Sequence, residues 1–164
     1  MADTLIRKTQ SGDLPALQQI ARRTIDQSYR PFLGDQAVDW FINSGESDKV
    51  ISDHIDNCDV LLATNKLLAF SIYFEDFIHV KMVDIDHHRT GTGTMLLVHV
   101  ENQLFSSGRS TIRLETFEGN EQAINFYLKN GWSITGRQED SEQGFVRVLF
   151  EKKLDEGDSS LPSG

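Results

Sequence analysis

A chain of 164 residues with 16 basic and 25 acidic side chains has a formal charge of −9. That length suits one domain rather than two, and the acidic balance argues against a nucleic-acid partner, because phosphate backbones are gripped by clustered Lys and Arg. Hydrophobic residues make up 38%, enough for a packed core. The longest unbroken apolar runs, residues 60–63, 67–70 and 95–98, fall far short of the roughly 20 residues a membrane helix needs, so no membrane partner is expected. The polar opening MADTLIRK has no apolar signal region. Cys58 stands alone and makes neither an intrachain disulfide nor a thiolate cluster; a cytoplasmic setting and a buried, inert thiol are the expectations.

In chain order, residues 5–7 read as a first strand. Leu14, Leu17, Ile20, Ala21 and Ile25 then share one stripe at helical spacing, with Asp13 placed to cap that helix. Residues 28–53 are aromatic and irregular; Pro31 and Gly34 break the pattern, and only a short helix over 37–43 is expected. Two apolar runs between 59 and 68 flank Asn65 as a hairpin. Residues 77–85 alternate as a strand, with Ile78, Val80 and Met82 on one face and His79, Lys81 and Val83 on the other. A Gly-rich turn opens a helix whose buried stripe is Leu97, Val100 and Leu104, stopped by Gly108. Residues 111–117 alternate again, and the chain turns at Gly119 into a helix capped by Asn120 with Ala123, Phe126 and Tyr127 on one face. Two strands over 132–138 and 145–152 follow. The last ten residues hold three of the acids, no base and a single Leu, a composition that reads as a flexible tail after a single domain of residues 1–154. The element order is that of an α+β fold.

Gly91 and Gly93 sit where a strand ends and a helix begins. Unpaired N–H groups and the helix dipole favour an anion there, and glycine lets a phosphate approach closely. An isolated Gly-x-Gly is equally a plain turn. A dinucleotide fold is a rival, but Leu96 occupies the place of its third glycine, and no Gly-Lys-Ser/Thr follows. His87, His88, Asp84 and Asp86 lack the spacing of a metal site, because neighbouring side chains point apart. No Gly-x-Ser-x-Gly nucleophile turn occurs.

The run VDIDHHRTGTG, residues 83–93, followed by LETFEGNEQAINFYLKNGW, residues 114–132, resembles the two main motifs of the GNAT superfamily of acyl-CoA-dependent N-acetyltransferases. The resemblance implies a mixed, twisted sheet of about seven strands flanked by about four helices and splayed after the fourth strand to admit the cofactor. It implies transfer of an acetyl group from acetyl-CoA to a primary amine by direct attack in a ternary complex, without a metal. Backbone groups of Arg89, Thr90, Gly91, Thr92, Gly93 and Thr94 would hold the CoA diphosphate, with Val83, Asp84 and His88 at the entry to that turn and Asn120 beside the pantetheine arm. Tyr127 matches the general acid that protonates the leaving thiolate, and a backbone N–H near Val83 would polarise the thioester carbonyl. Glu115 lies in a context similar to that of ribosomal-protein N-terminal-alanine acetyltransferases, where such a Glu is the base; His79 and Asp84 are runner-up bases. His88 stands where Gln or Arg is usual, and Ile85 replaces a frequent Pro.

The residues themselves leave alternatives open. Phe126 and Tyr127 also read as core aromatics at helical spacing, Glu115 as an exposed strand acid beside Arg113, and Asn120 as a helix cap. The acceptor side falls to Asp26, Tyr29, Phe32, Asp35 and Trp40, whose carboxylates and aromatic faces suit a cation. The acceptor is either a small-molecule amine or a protein or peptide amine, and self-pairing as a homodimer is left open. A non-catalytic acyl-CoA-binding regulatory domain is the alternative from a different class.

Overall fold

The computed structural model of the protein describes residues 3–140 and 144–154; the acidic tail expected from residue 155 lies outside the described residues. The elements are β1 (Thr4–Lys8), α1 (Leu14–Ser28), α2 (Arg30–Leu33), α3 (Asp35–Asn43), α4 (Glu46–Asp53), β2 (Cys58–Ala63), β3 (Lys66–Phe74), β4 (Phe77–Val83), α5 (Thr92–Ser106), β5 (Thr111–Phe117), α6 (Glu121–Lys129), β6 (Ser133–Glu139) and β7 (Val146–Lys153). The seven strands form one sheet in the order β1-β2-β3-β4-β5-β7-β6. The fold is α+β, as expected, with six helices rather than about four.

The extra helices lie in residues 28–53, where Pro31 and the glycines act as separators. Pro31 stands in the first turn of α2, where its missing N–H costs nothing. Gly34 (φ 89°) and Gly45 (φ 86°) turn the corners into α3 and α4 in conformations that favour glycine. Asp13 does not cap α1 as expected. Its carboxylate accepts the Gln10 N–H at 2.8 Å and pairs with Arg7 at 2.7 Å. At the β2–β3 hairpin, Thr64 (φ 51°) and Asn65 (φ 65°) are both left-handed, which matches the twist of the flanking strands.

Two apolar layers cover the sheet. Leu96, Leu97, Val100 and Leu104 of α5 pack with Ile112, Leu114 and Phe150 on one face. Leu17, Ile20 and Ala21 of α1 pack with Ile51, Val60, Phe70 and Ile72 on the other. Each such Leu, Ile or Phe side chain contributes about 1.5–3 kcal/mol on burial. The expected faces of β4 need one correction. Ile72 of β3 lies opposite Val80, but the next residue, Tyr73, lies opposite Ile78, so His79 is the extra residue of a β-bulge. Ile78 therefore joins the α5 layer while Val80 and Met82 join the α1 layer, and Lys81 and Val83 turn toward α5 and α6.

All neighbouring strands are antiparallel except β4 and β5, whose parallel pairing consists of Phe77 with Arg113 and Ile78 with Leu114. Beyond the bulge the two strands separate, which opens the sheet from residue 79 onward. Cys58 is buried, and burial pushes its thiol up to about 11, so it stays protonated near neutral pH. Among the described residues no helix is long and apolar enough to cross a membrane, and no group of three or more His, Cys, Asp or Glu is placed to hold a metal.

Candidate active site

The site begins where β4 runs out. The Asp84 N–H bonds to the Leu68 carbonyl of β3 at 2.7 Å, so alternation along β4 directs the N–H of Val83 to the opposite, splayed side. The Asp84 carboxylate accepts from the Asp86 N–H at 3.2 Å and from Arg23 at 3.1 Å. His88 Nε2 lies 2.9 Å from the Val83 carbonyl, and its Nδ1 lies 3.4 Å from Gln122 Nε2, which ties the turn to both β4 and α6. Arg89 (φ 65°) and Gly91 (φ 84°) are left-handed and swing the chain into α5, whose first N–H groups have no partner within the helix. Thr90 and Thr92 share a hydroxyl contact of 2.8 Å.

A cavity of about 770 Å³ lies between this turn and α6. Val83, His88, Arg89, Gly91, Gly93 and Thr94 line one side, and Asn120 and Tyr127 the other. The structure thus brings together most of the residues assigned to the cofactor from sequence. Thr90 and Thr92 are absent from the lining, and Asp84 is buried outside it against Arg23. A Cβ on Gly93 would meet Lys81 Nζ at 3.2 Å and the Phe126 ring at 3.6 Å, so glycine keeps this wall open. Asn120 Oδ1 accepts the Ala123 N–H at 3.2 Å and caps α6.

Sequence reasoning missed Lys81. Its Nζ sits in this cavity 4.3 Å from the Phe126 ring centroid, without an ion pair among the described residues, and burial pushes it down to about 8. The available signal was a Lys between Ile78 and Val83 in a strand otherwise bound for the core. Thr24 Oγ1 and His87 Nδ1 are likewise buried without a hydrogen-bond partner among the described residues, and both residues line the cavity. Unmet buried groups of this kind await a ligand or water.

Tyr127 is 8% exposed. Its ring packs against Phe126 at 5.2 Å, Phe150 at 5.7 Å and Trp132 at 5.8 Å. Burial holds its phenol well above the usual range, and the nearby Tyr29 and Glu101 add to the shift; the group is therefore a protonated donor at neutral pH. Behind it, Glu101 accepts from Trp132 Nε1 at 3.0 Å and from Lys152 Nζ at 2.9 Å, a buried carboxylate with both oxygens paired.

A second cavity, about 730 Å³, lies on the α1 face of the sheet between α1, α3, α4 and β4. Tyr29 and Met82 line both cavities, so the two meet at the splay. Burial pushes the Tyr29 phenol up to about 12. Of the acceptor wall expected from sequence, two of the three aromatics line this cavity and neither of the two acids does. Tyr29 and Trp40 line the second cavity, whereas Phe32 packs against Tyr29, Phe117 and Gly119. Asp26 and Asp35 stand outside the lining, bound with Asp39 to the single guanidinium of Arg30.

Glu115 lines neither cavity. It lies two residues before Phe117 on the same face of β5, with Oε1 3.9 Å from Arg147 Nε, and both Phe117 and Arg147 line the second cavity. His79 packs among His54, Phe74 and Phe77; burial and then His54 hold its imidazole below the ordinary value, against the pull of Glu115.

The fold that carries this pocket recurs in solved structures. PaiA N-acetyltransferase from Thermoplasma acidophilum, solved in complex with coenzyme A, superposes with a TM-score of 0.76 at 20% identity over 93% of this chain and 99% of that one. A GCN5-related N-acetyltransferase from Rhodopseudomonas palustris gives 0.81 at 15% identity over 94% and 98%. The ribosomal-protein-S18-alanine N-acetyltransferase from Escherichia coli gives 0.69 at 20% identity over 93% and 95%. No curated protein matches the chain by sequence. These likenesses establish the fold; the sequence itself matches the profile of the acetyltransferase (GNAT) family over residues 28–132, from the end of α1 to the tryptophan packed on Tyr127, and the chain belongs to that family.

Proposed function

We propose that the protein transfers an acetyl group from acetyl-CoA to a primary amine by direct attack in a ternary complex. The observation that carries this reading is the meeting of two cavities at Tyr29 and Met82, one bearing the Gly91–Gly93 turn and Tyr127, the other leading in from the opposite face of the sheet. The coenzyme A bound by the Thermoplasma relative supports the choice of donor. Backbone N–H groups of residues 89–94 would hold the diphosphate, Lys81 would add a cation beside it, and Asn120 would border the pantetheine arm. The bound thioester supplies an activated acyl carbon.

An amine of ordinary pKa, about 10.4, is protonated at neutral pH and must lose a proton before it attacks. Glu115, outside the lining but 3.9 Å from the cavity-lining Arg147, takes that proton through water. The Val83 N–H, directed into the splay, polarises the thioester carbonyl. The amine lone pair forms the C–N bond, the C–S bond breaks, and Tyr127 gives its proton to the departing sulfur. The raised pKa of Tyr127 suits a group that must stay protonated until a thiolate forms beside it.

Calorimetry with acetyl-CoA, combined with a thiol-release assay over a panel of amines, tests the reading. Binding heat together with amine-dependent release of CoA is expected. Heat without release from any amine would instead favour an acyl-CoA-binding regulatory domain, and heat with NAD or ATP alone would favour a nucleotide binder. Glu115→Gln is expected to lower kcat/KM by about 10²-fold; an unchanged value would pass the base role to a water relay or another side chain.

A further inference from the structure

The second cavity carries information about the acceptor that the motifs do not. Its floor and walls are apolar: Ile25, Leu33, Trp40, Phe41, Val50 and Phe117 dominate the lining. Its volume, about 730 Å³, lies within the roughly 300–1,000 Å³ of small-molecule sites. Among the described residues no carboxylate lines it: Asp26, Asp35 and Asp39 stand outside the lining and share the guanidinium of Arg30. The charged side chain that does line the cavity is itself a cation: Arg147 lies 5.4 Å from the Phe117 ring centroid and beside Glu115 and Asp140. Ser47 Oγ is buried in the lining without a hydrogen-bond partner among the described residues, and the Tyr29 phenol and the Gln36 amide are further uncharged polar groups there.

Resting on the acetyl-transfer reading, we infer that the acceptor is a small primary amine carried on an apolar, ring-sized body, an arylalkylamine, with the amine at the Tyr29–Met82 junction and the ring among Trp40, Phe41 and Phe117. The physical selection is direct. Each methylene equivalent buried is worth about fourfold in affinity, whereas a second ammonium on the acceptor would be desolvated among apolar side chains and beside the like charge of Arg147.

The test measures CoA release from the full-length protein with acetyl-CoA and 2-phenylethylamine or tryptamine, against spermidine, lysine, an aminoglycoside and a peptide beginning with Ala. The arylalkylamines are expected to exceed the others in kcat/KM by at least about 30-fold. Ala37→Phe, which fills the cavity, is expected to raise their KM about tenfold or more while the KM for acetyl-CoA stays the same. If that variant does not fold, Trp40→Ala, at an exposed edge of the cavity (58% exposed), takes its place, with an expected rise of about fivefold. Preference for the polycations, the amino acid or the peptide, or an amine KM indifferent to the variant used, overturns the inference. Binding of 2-phenylethylamine to the CoA-loaded protein, followed by Trp40 fluorescence, separates the two readings. Tight binding that Ala37→Phe weakens, with no CoA release from any amine, leaves the cavity assignment standing and removes acetyl transfer. Neither binding nor release removes the assignment of the cavity as well.

Discussion

The two cavities that meet across β4 are nearly equal in size, about 770 and 730 Å³, and opposite in what their polar groups do. On the α5 side demand is unmet: Lys81 has no counter-ion, Thr24 Oγ1 and His87 Nδ1 have no hydrogen-bond partner among the described residues, and the first N–H groups of α5 open into the space. On the α1 side the carboxylates stay out of the lining, where Asp26, Asp35 and Asp39 share one guanidinium, Arg30. Both walls come from the same strand: alternation sends Lys81 and Val83 one way and Val80 and Met82 the other, and the bulge at His79 turns Val80 and Met82 to the α1 face although Ile78 lies on the α5 face. A wall of uncompensated cationic and donor groups fits an anion, and a wall of apolar side chains fits an apolar body. Alternation along β4, with its phase set by the bulge, thereby gives one strand two unlike walls.

The largest expected effect tests which of two phenols at the junction belongs to the donor side. Tyr127 lines the α5-side cavity alone, whereas Tyr29 lines both. Tyr127→Phe is expected to lower kcat by about 10²-fold or more with little change in the Kd of acetyl-CoA by calorimetry. Tyr29→Phe is expected to alter the acceptor KM and to cost kcat less than about tenfold. Equal losses of kcat from the two variants would take the acid role away from Tyr127 as a distinct group.

A smaller effect is expected at the turn. Gly91 holds φ at 84° with open space around its Cα, so Gly91→Ala adds no clash but forces a left-handed alanine, at a cost of about 1–2 kcal/mol. If the turn is the diphosphate cradle, that strain reads out as about a tenfold weaker Kd for acetyl-CoA with the acceptor KM unchanged. An unaltered Kd would mean that the diphosphate lies elsewhere.

How much of this contrast the sequence carried depends on the range of the forces involved. The strand and helix periods placed all seven strands and the helices bearing the two motifs, because those patterns are local: Leu97, Val100 and Leu104 must share a face wherever α5 docks. Gly91, Gly93, Asn120 and Tyr127 were legible for the same reason, each standing at a fixed offset from a helix start. The bulge at His79 was not legible, since it is a mismatch between β3 and β4 that neither strand records alone. The helices of residues 28–53 were half legible, because Pro31, Gly34 and Gly45 look the same whether they end structure or join helices. The acids at 26 and 35 read as facing the acceptor on sequence alone because their pairing depends on Arg30 standing between them in space.

Lys81 offers the finest test of the contrast. In the free protein its ammonium titrates near 8, below the ordinary 10.5, because burial disfavours the charged form. A diphosphate beside it favours that charged form and raises the pKa in the complex. Acetyl-CoA affinity from this source is therefore full below about pH 8 and falls as pH rises from there toward the pKa of the complex. The free protein shows the converse slope: between about 8 and 10.5 the unfolded chain holds the proton that the folded one has lost, so stability from this group rises with pH. Lys81→Met removes the charge and keeps an apolar stem against Phe126. It is expected to weaken acetyl-CoA binding about fivefold at pH 7 and to flatten both the decline in affinity above pH 8 and the rise in stability over the same range. Should the variant bind as tightly as the parent with the same pH profile, the ammonium serves no anion, and the unmet demand that distinguishes the two cavities reduces to the helix N-terminus and its neighbouring polar atoms.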